Sequence, residues 1–374
     1  MNNNKKSILV ISFKDPDCHC GGVEDYVKVL YEGLSERGWD VYSIFSIEKS
    51  GHILPNKKLK KYGIPLIIPN NKYLVPMRKI EFFLKASLFI FKNHKKFRII
   101  HSNGDNSYFP FIHSKLIKIH SFPGFSIQKV NKNSKFSFWK AISMMFYVTP
   151  SVFIELIGLL TSNFAVVDND LLYKRFINFR NNGLVQIYNA IDISTFHPIT
   201  SPLEKNELKK KLGLDSAKHY AIWVGTDPRL YRLTEAIESV QAIKYFDLLV
   251  VGVTNSVPIE RVKYLGLLDH STLADFYKAS DVMIHLSNVV GIDLSVLSAL
   301  ASGIPAIVDN INYPLYMPNG FVYSACRKDQ IISILQKIIA CHLQVDVKAN
   351  LGYLNEAFTP DFMITKYEKL FEGF

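Results

Sequence analysis

Short apolar runs alternate with segments of helical spacing along the whole chain. In the first half, the helical pattern over residues 24–37 lies between two apolar runs and stops at Gly38. Alternation of this kind predicts parallel strands covered by helices on both faces of a sheet. The predicted strands of this half are residues 7–13, 41–45, 65–68, 98–102, 116–120, 164–167 and 184–187.

The alternation occurs a second time beyond a polar, proline-containing stretch at residues 196–202. Predicted strands there are residues 219–224, 247–253, 262–265, 282–286 and 306–308, and predicted helices are 203–212, 232–243, 271–278, 294–301 and 328–341. The chain of 374 residues is longer than one core usually covers. The predicted fold class is therefore α/β, with two Rossmann-like doubly wound domains facing across a ligand cleft. The predicted domains are residues 1–195 and 196–355, and a C-terminal helix in residues 356–374 is predicted to return to the first domain.

Composition excludes several classes of protein. Apolar residues make up 48% of the chain and charged residues 21%, so the chain is neither disordered nor of low complexity. The four cysteines are too few and too scattered for a disulfide framework, which predicts a reducing, cytoplasmic location. Cys18, His19 and Cys20 are spaced too tightly for a tetrahedral zinc site, and no second pair of ligands accompanies them, so no metal is predicted.

Positive charge is concentrated in the first half. The whole chain has a net charge of +11, but residues 1–195 hold 27 Lys and Arg against 14 Asp and Glu. Residues 51–100 alone carry 12 basic residues and a single acidic one, Glu81. This half is therefore expected to face an anionic partner. No nucleic-acid-binding motif and no exposed stacking aromatics are evident, so nucleic acid is not the predicted partner.

A basic, aromatic segment at residues 77–96 has helical spacing. Arg78, Lys79, Phe82 and Phe83 in this segment are predicted to contact the acceptor or an anionic membrane surface, as an interfacial helix does. The alternative is an ordinary amphipathic helix on the sheet, with solvated lysines. Residues 141–160 form the longest apolar stretch, but Pro150 and Glu155 interrupt it, which favours a buried or interfacial helix pair over a membrane span.

Two glycines, Gly21 and Gly22, follow the first strand and open the first helix. Glycines at a helix N-terminus let an anionic ligand approach the backbone closely, although a plain turn explains the pair equally well.

Four sequence blocks, together with this glycine pair, resemble the GT-B fold retaining glycosyltransferases of glycosyltransferase family 4. They are IYNAIDISTFHP at 187–198, WVGTDPR at 223–229, the segment 264–281, and LSNVVGIDLSVLSALASGIP at 286–305. The resemblance covers nearly the whole chain. It implies a GT-B fold, a nucleotide-sugar donor held by the second domain, an acceptor on the first, and no required cofactor or metal.

The resemblance also implies donor-binding residues. Gly225 and Thr226 match the family, but Tyr231 and Arg232 stand where a Lys-Gly pair is expected, so Arg229 or Arg232 is expected to supply the cation for the diphosphate. The segment from Leu265 to Leu268 matches the loop that packs on the nucleobase.

One family signature, Glu-x7-Glu, is missing. Its positions are Val290 and Ser298, and Asp293 stands where the family usually has glycine. Asp293 is predicted either to contact the sugar or to repel the diphosphate. The backbone amides of Gly291, Ile292 and Leu294 are still expected to bind phosphate oxygens at the start of the helix.

In the first domain the resemblance places His120, at the end of a predicted strand, near the donor sugar and the acceptor; a structural histidine is the alternative. His101 and Asn103, at the neighbouring strand end, are expected to help bind the acceptor.

The predicted function is transfer of a sugar, with retention, from a nucleotide sugar to a lipid-linked or saccharide acceptor at a membrane surface. The alternative is a catalytically silent GT-B protein that binds a glycan or supports a partner enzyme.

Overall fold

Two parallel β-sheets organise the chain. The computed structural model describes residues 6–17, 22–48, 59–104, 116–122, 149–199, 201–254, 257–287, 293–309, 320–340, 343 and 346–372. One compact unit comprises residues 1–190 and 360–374, and the second comprises residues 191–359. The predicted α/β class with two doubly wound domains is confirmed.

The first unit contains a seven-stranded sheet in the order β3-β2-β1-β4-β5-β6-β7, with all neighbouring strands parallel. Its strands are β1 (Ser7–Ile11), β2 (Asp40–Ile47), β3 (Lys60–Pro65), β4 (Ile99–Asn103), β5 (Ile117–Phe122), β6 (Phe164–Val167) and β7 (Leu184–Gln186). Its described helices are α1 (Gly22–Glu36), α2 (Val75–Asn93), α3 (Thr149–Thr161), α4 (Asp170–Phe176) and α11 (Pro360–Glu372). Helix α11 has this number because it follows the helices of the second unit along the chain.

The second unit contains a six-stranded sheet in the order β10-β9-β8-β11-β12-β13, also parallel. Its strands are β8 (His219–Val224), β9 (Phe246–Val251), β10 (Val262–Gly266), β11 (Val282–His285), β12 (Ala306–Val308) and β13 (Val322–Ser324). Its described helices are α5 (Pro202–Lys211), α6 (Leu233–Gln241), α7 (His270–Ala279), α8 (Leu294–Ala301), α9 (Lys328–Ile339) and α10 (Val347–Ala357).

The central strand β1 shows why the first sheet is covered on both faces. Because successive side chains of a strand point to opposite faces, Ile8 and Val10 join one core cluster and Leu9 and Ile11 join another. The first cluster includes residues of α1 and α11, and the second includes residues of α2. Strands buried on both faces read as continuous apolar runs, which made β1 easy to predict.

Several strands differ from the predictions. The strand predicted at residues 65–68 shares only Pro65 with the edge strand β3, which begins with two lysines, Lys60 and Lys61, that pair with carboxylates. The strand predicted to end at His120 continues through Ser121 and Phe122. The edge strand β13 has no counterpart among the predicted strands.

Candidate functional site

The carboxyl edge of the second sheet is where a doubly wound domain binds its ligand. Strands β8, β9, β11 and β12 are parallel neighbours, so their carboxyl ends lie along one edge. The residues that follow these ends include Gly225, Gly252, Ser287 and Asp309. This edge is the candidate donor site.

Two glycines let the turns at this edge pack closely. A Cβ on Gly225 would lie 2.8 Å from Cδ2 of Tyr231 and 3.0 Å from the Trp223 ring. Gly252 has a φ of 95°, and a Cβ there would overlap the Gly225 carbonyl group. The backbones after β8 and β9 therefore meet directly, which gives the predicted Gly225 a packing reason.

Thr226 and Arg229 lie on the exposed turn after β8. The Asp227 carboxylate accepts hydrogen bonds from the amides of Arg229 at 2.9 Å and Leu230 at 3.0 Å, which fixes the turn. Within the described part of the chain, the Arg229 guanidinium has no hydrogen bond or ion pair. It is therefore available to an anionic ligand.

Arg232 is already neutralised by two carboxylates. Its Nη1 lies 2.8 Å from Oδ2 of Asp309, and its Nε donates to the Glu235 carboxylate. Burial lowers the pKa of Arg232, but the two carboxylates outweigh burial and raise it. In this structure the Arg232 guanidinium pairs with Asp309 and Glu235, and its predicted contact with a diphosphate stays a prediction.

The backbone at Arg232 is left-handed, with φ 48° and ψ 48° at the N-cap of α6. This region favours glycine, which is the residue that the family resemblance implies at this position. The backbone conformation therefore suits a glycine, although this chain has an arginine whose side chain pairs with Asp309 and Glu235.

Asp309 joins the ends of β11 and β12. Its Oδ1 accepts a hydrogen bond from the Ser287 amide at 2.8 Å, and its Oδ2 binds Arg232. Burial raises the pKa of this carboxyl group, and the Arg232 charge only partly opposes that rise. Sequence reasoning missed Asp309, because Arg232 lies 77 positions away along the chain and no local motif links the two.

A histidine holds the predicted residue Asp293. The Nε2 of His285, at the end of β11, lies 2.6 Å from Oδ2 of Asp293, and the Tyr231 ring packs on the imidazole with centroids 5.2 Å apart. Asp293 is the N-cap of α8, yet its side chain makes no capping hydrogen bond. The His285 contact therefore turns this carboxylate away from the first amides of α8.

The hydroxyl group of Ser298 is directed into its own helix. Ser298 is buried, and its Oγ donates to the Leu294 carbonyl at 2.8 Å. The hydroxyl hydrogen of Ser298 is thus used within α8, while its oxygen can still accept a hydrogen bond, and the predicted contact of Ser298 with the donor stays a prediction. Leu294 begins α8 and is half-buried. Val290, Gly291 and Ile292 lie outside the described residues.

The loop predicted to pack on a nucleobase follows β10. Leu265 and Leu268 are both half-buried, and Gly266 between them has a φ of 68°. The Gly266 carbonyl accepts a hydrogen bond from the Gly252 amide at 2.7 Å, which joins this loop to the turn after β9. The nucleobase contact stays a prediction.

In the first unit, the loop after β1 is held by a buried ion cluster. Lys61 of β3 lies 2.6 Å from an Asp15 oxygen and 2.9 Å from an Asp17 oxygen, and its side chain is 3% exposed. Gly22 begins α1 and is exposed, and a Cβ there would meet nothing within 4 Å. Gly21 lies outside the described residues, so the predicted glycine pair stays a prediction.

His101 and Asn103 are both fully buried. The His101 Nε2 lies 2.7 Å from the Ser121 hydroxyl oxygen, and burial lowers the pKa of His101 to about 3. Asn103 donates from Nδ2 to the Ile11 carbonyl at 2.9 Å. Both side chains therefore belong to the interior in this structure, and their predicted acceptor contacts stay a prediction.

A hydrogen-bond network surrounds His101. The hydroxyl groups of Tyr26 and Tyr367 bond to each other, and each contacts Ser121 at 2.9 Å. Burial is the main cause that raises the pKa of Tyr26 and of Tyr367, so both stay protonated. This network fastens α11 to the carboxyl ends of β4 and β5.

His120 lies inside β5, two residues before its end, and is buried. Its Nδ1 lies 2.7 Å from the Ser102 hydroxyl oxygen. Gly158 of α3 faces the imidazole, and a Cβ there would lie 2.5 to 2.6 Å from three ring atoms. The structure shows a packed imidazole, and its contact with substrate stays a proposal.

The basic, aromatic helix is α2, and three of the predicted contact residues lie on its inner side. Phe82 and Phe83 are buried, as is Arg78, which donates to the Ile68 carbonyl at 2.6 Å and to Glu48 at 2.7 Å. These three residues are buried in this structure, and their predicted acceptor or membrane contact stays a prediction. Lys79 is half-buried, and its Nζ lies 5.9 Å from the centre of the Phe13 ring.

Among the described residues, no helix is both long and apolar enough to cross a bilayer. No group of three or more His, Cys, Asp or Glu side chains in that part of the chain is arranged to hold a metal ion.

Comparisons with known proteins agree on the fold. No family model matches the chain. A curated relative, the lipopolysaccharide core biosynthesis mannosyltransferase LpsB of Rhizobium meliloti (strain 1021), is 27% identical over 143 residues. The match covers 33% of this chain and 40% of that relative, so it spans less than half of either protein.

Solved structures match over nearly the whole chain. Sucrose-phosphate synthase from Thermosynechococcus elongatus has a TM-score of 0.79 at 17% identity, covering 98% of each chain. Anabaena HepE in complex with UDP-glucose has a TM-score of 0.70 at 12% identity, covering 98% of this chain and 100% of its own. WaaG, a glycosyltransferase involved in lipopolysaccharide biosynthesis, has a TM-score of 0.70 at 13% identity, covering 94% of each chain. The chain therefore has the GT-B fold of these proteins, as the sequence blocks predicted.

Proposed function

We propose that this protein is a glycosyltransferase that moves a sugar from a nucleotide-sugar donor to a saccharide or lipid-linked acceptor. The observation that carries the proposal is the match of almost the entire chain to solved glycosyltransferases, one of them holding UDP-glucose. The partial likeness to a lipopolysaccharide mannosyltransferase supports a glycan or glycolipid acceptor. Because one fold hosts many functions, the proposed donor binding and sugar transfer must also be argued from the residues of the site.

The donor diphosphate is proposed to bind at the carboxyl edge of the second sheet. Arg229 is exposed on the turn after β8, and the Asp293 side chain does not cap the first amides of α8, although its carbonyl accepts from the Val296 amide at 3.0 Å. A guanidinium group and a helix N-terminus both favour phosphate oxygens. Arg232 takes no part in this proposal except to hold Asp309.

The chemical step would break the bond between the anomeric carbon and the diphosphate oxygen, whose electron pair leaves with the diphosphate. The acceptor hydroxyl group would bond to that carbon and pass its proton to the departing diphosphate. The transition state would have oxocarbenium character. Catalysis would then depend on positioning and on stabilising the leaving diphosphate, with retention of configuration as the resemblance implies. A cytoplasmic, membrane-peripheral location remains part of the proposal.

Thermal stability in the presence of nucleotide sugars tests the donor site. The folded protein is incubated with UDP, GDP and ADP and with their glucose and mannose conjugates, and the melting temperature is recorded. Since a ligand that binds only the folded state stabilises it, at least one conjugate is expected to raise the melting temperature. If none of them does so, the proposal is wrong. Binding without sugar transfer to any acceptor would favour the silent binding module instead.

Arg229→Ala tests the assigned cation. Loss of a charge-assisted hydrogen bond to the diphosphate is expected to raise the Kd of the best nucleotide by roughly tenfold or more. Lys244→Ala is the matched control, because Lys244 is an exposed cation just before β9, at the opposite edge of the same sheet. Equal affinities of the two variants would remove Arg229 from the site.

A further inference from the structure

The outer side of α2 carries an apolar stripe that nothing in the described structure covers. Met77, Ile80, Leu84, Leu88 and Phe91 follow one another at intervals of three and four residues, so they share one face of the helix. They are 42% to 56% exposed, whereas Phe82 and Ile90, on the inner side, are 1% and 0% exposed. An amphipathic helix on a sheet normally exposes its polar side, and α2 exposes an apolar one.

The neighbouring helix α3 extends this surface. Phe153, Leu156 and Leu160 are 61%, 39% and 68% exposed and lie three and four residues apart, again on one face. Helices α2 and α3 pack beside each other. Eight of the sixteen large apolar side chains exposed in the described residues belong to these two helices.

The size of this surface is unusual for a protein that faces only water. The eight side chains expose the equivalent of about four complete residues. At ~150 to 250 Å² for a phenylalanine and less for an aliphatic side chain, the summed apolar area is on the order of several hundred Å². That value is in the range of the largest patches on ordinary monomers, which often mark interaction sites.

The charges around the apolar stripe select an anionic partner. Lys92, Lys95 and Lys96 are exposed at the carboxyl end of α2 and in the turn that follows. The one carboxylate of α2, Glu81, is bonded to Lys85 and to the amides of Ile67 and Ile68.

Helix α3 adds no exposed carboxylate to this surface. Its one acidic residue, Glu155, is 2% exposed. The surface therefore presents apolar side chains and cations, with no exposed carboxylate on either helix.

We propose that the exposed faces of α2 and α3 dock on an anionic lipid bilayer. The apolar side chains would enter the boundary between headgroups and acyl chains, and the three lysines would contact anionic headgroups, as in interfacial helices. Of the residues predicted from the sequence to contact a membrane, Arg78, Phe82 and Phe83 lie on the opposite, buried side of α2. The inference rests on the proposed function in one respect, because docking would bring the enzyme to a lipid-linked acceptor.

Vesicle flotation tests the docking surface directly. The full chain is mixed with phosphatidylcholine vesicles that contain or lack 30% phosphatidylglycerol, and the floating fraction is measured. The wild-type protein is expected to float with the anionic vesicles and to stay largely behind with the neutral ones. Leu84→Gln combined with Leu88→Gln is expected to lower binding to anionic vesicles about tenfold or more, and Lys92→Gln combined with Lys95→Gln several-fold.

A matched control uses α5 of the second unit. Leu203→Gln combined with Lys210→Gln changes one exposed leucine and one exposed lysine there, and flotation is expected to stay at the wild-type level. All variants alter exposed residues, so their melting temperatures should stay close to that of the wild type. The rise in melting temperature with a nucleotide sugar should also persist, which separates failure of docking from failure of the proposed function.

Three results would overturn the docking proposal. The first is a wild-type protein that stays in the soluble fraction with both kinds of vesicle. The second is equal flotation on neutral and anionic vesicles, which would remove the assigned role of the lysines. The third is a wild-type dimer, measured by light scattering, that becomes a monomer in the leucine variant without any vesicle binding, because the surface would then join two copies of this chain.

Discussion

At the scale of single residues, His101 is a neutral imidazole enclosed by the first unit. Its pKa is lowered to about 3 by burial, whereas an unfolded chain binds the proton near pH 6.5. Between these values the unfolded state holds the extra proton, so stability rises with pH and is lost as the pH falls. His101 is expected to contribute a slope of about 1.4 kcal/mol per pH unit between pH 6 and pH 4.

Urea unfolding at a series of pH values measures this slope. His101→Gln keeps a polar partner for the Ser121 hydroxyl group but has no titrating ring. The variant is expected to lose stability less steeply than the wild type below pH 6. Identical slopes for the two proteins would show that His101 does not titrate as the structure implies.

Two roles are open to Asp293, and a contact with His285 fixes its position. The sequence left open whether this carboxylate binds the sugar or repels the diphosphate, and the structure bonds it to His285 at the N-terminus of α8. Asp293→Asn removes a negative charge close to the proposed diphosphate site. The affinity for a nucleoside diphosphate is expected to rise about two- to fivefold, the magnitude of a charge effect at a helix terminus.

Isothermal titration with the nucleoside diphosphate and with its sugar conjugate separates the two roles. A rise in affinity for both ligands supports repulsion by the wild-type carboxylate. Unchanged binding of the diphosphate, together with weaker binding of the conjugate, would instead assign Asp293 to the sugar.

At the scale of elements, α11 packs on α1 through a glycine. A Cβ on Gly33 would overlap the end of the Ile364 side chain and lie 2.8 Å from its Cγ1. Alanine is normally about 1 kcal/mol better than glycine in a helix interior. Gly33→Ala is nevertheless expected to destabilise the protein by about 1 to 3 kcal/mol, because the added methyl group overpacks this contact.

Gly352→Ala is the comparison for this variant. Gly352 lies in α10, and a Cβ there would meet nothing within 4 Å, so the substitution is expected to be neutral or stabilising. The free energy of unfolding of both variants is measured in urea. Destabilisation by both substitutions would mean that packing against Ile364 is not the cause at Gly33.

Elements that are buried on both faces could be predicted from the sequence, and so could the edge strands β7 and β10, but the edge strands β3 and β13 could not. Strands such as β1 and β6 are continuous apolar runs because both faces are covered. Strand β3 begins with two lysines, whose carboxylate partners are distant in sequence. Its apolar pattern starts only where the strand ends. The limit on predicting such strands from apolar runs is physical, because an edge strand needs only one apolar side.

The candidate site could be predicted only in part, for a related reason. Gly225, Thr226 and Arg229 lie in one turn, and a local block identified them. The pairing of Arg232 with Asp309 and of His285 with Asp293 depends on strand order, which no local pattern encodes. Which face of α2 packs on the sheet could not be predicted from the sequence either, because both of its faces carry aromatic or aliphatic residues.

At the scale of the whole molecule, the chain builds its first unit from two separate segments. Helix α11 buries Met363, Tyr367 and Phe371 in the core that contains β1. Arg37 and Trp39 both bond to Glu368, and Trp39 packs edge-on against Phe371 with ring centroids 5.0 Å apart. The first unit is therefore incomplete without residues that follow the second.

A chain that ends at Thr359 tests this dependence. The first unit is expected to lose its cooperative unfolding transition, since a large part of one core face is uncovered. The second unit, residues 191–359, keeps all its own elements and is expected to unfold cooperatively. The fluorescence of Trp39 and Trp223, each isolated by replacing the other tryptophans with Phe, reports the two units separately. A sharp transition at Trp39 in the shortened chain would contradict this prediction.

The position of α11 also sets the order in which the protein can mature on the ribosome. Every residue of the second unit is translated before residue 360, so that unit can complete its core while synthesis continues. The first unit, although it begins to emerge earlier, must wait for α11 to leave the exit tunnel. Until then its apolar strands remain incompletely covered, so the nascent chain is exposed to misassociation and in need of a chaperone.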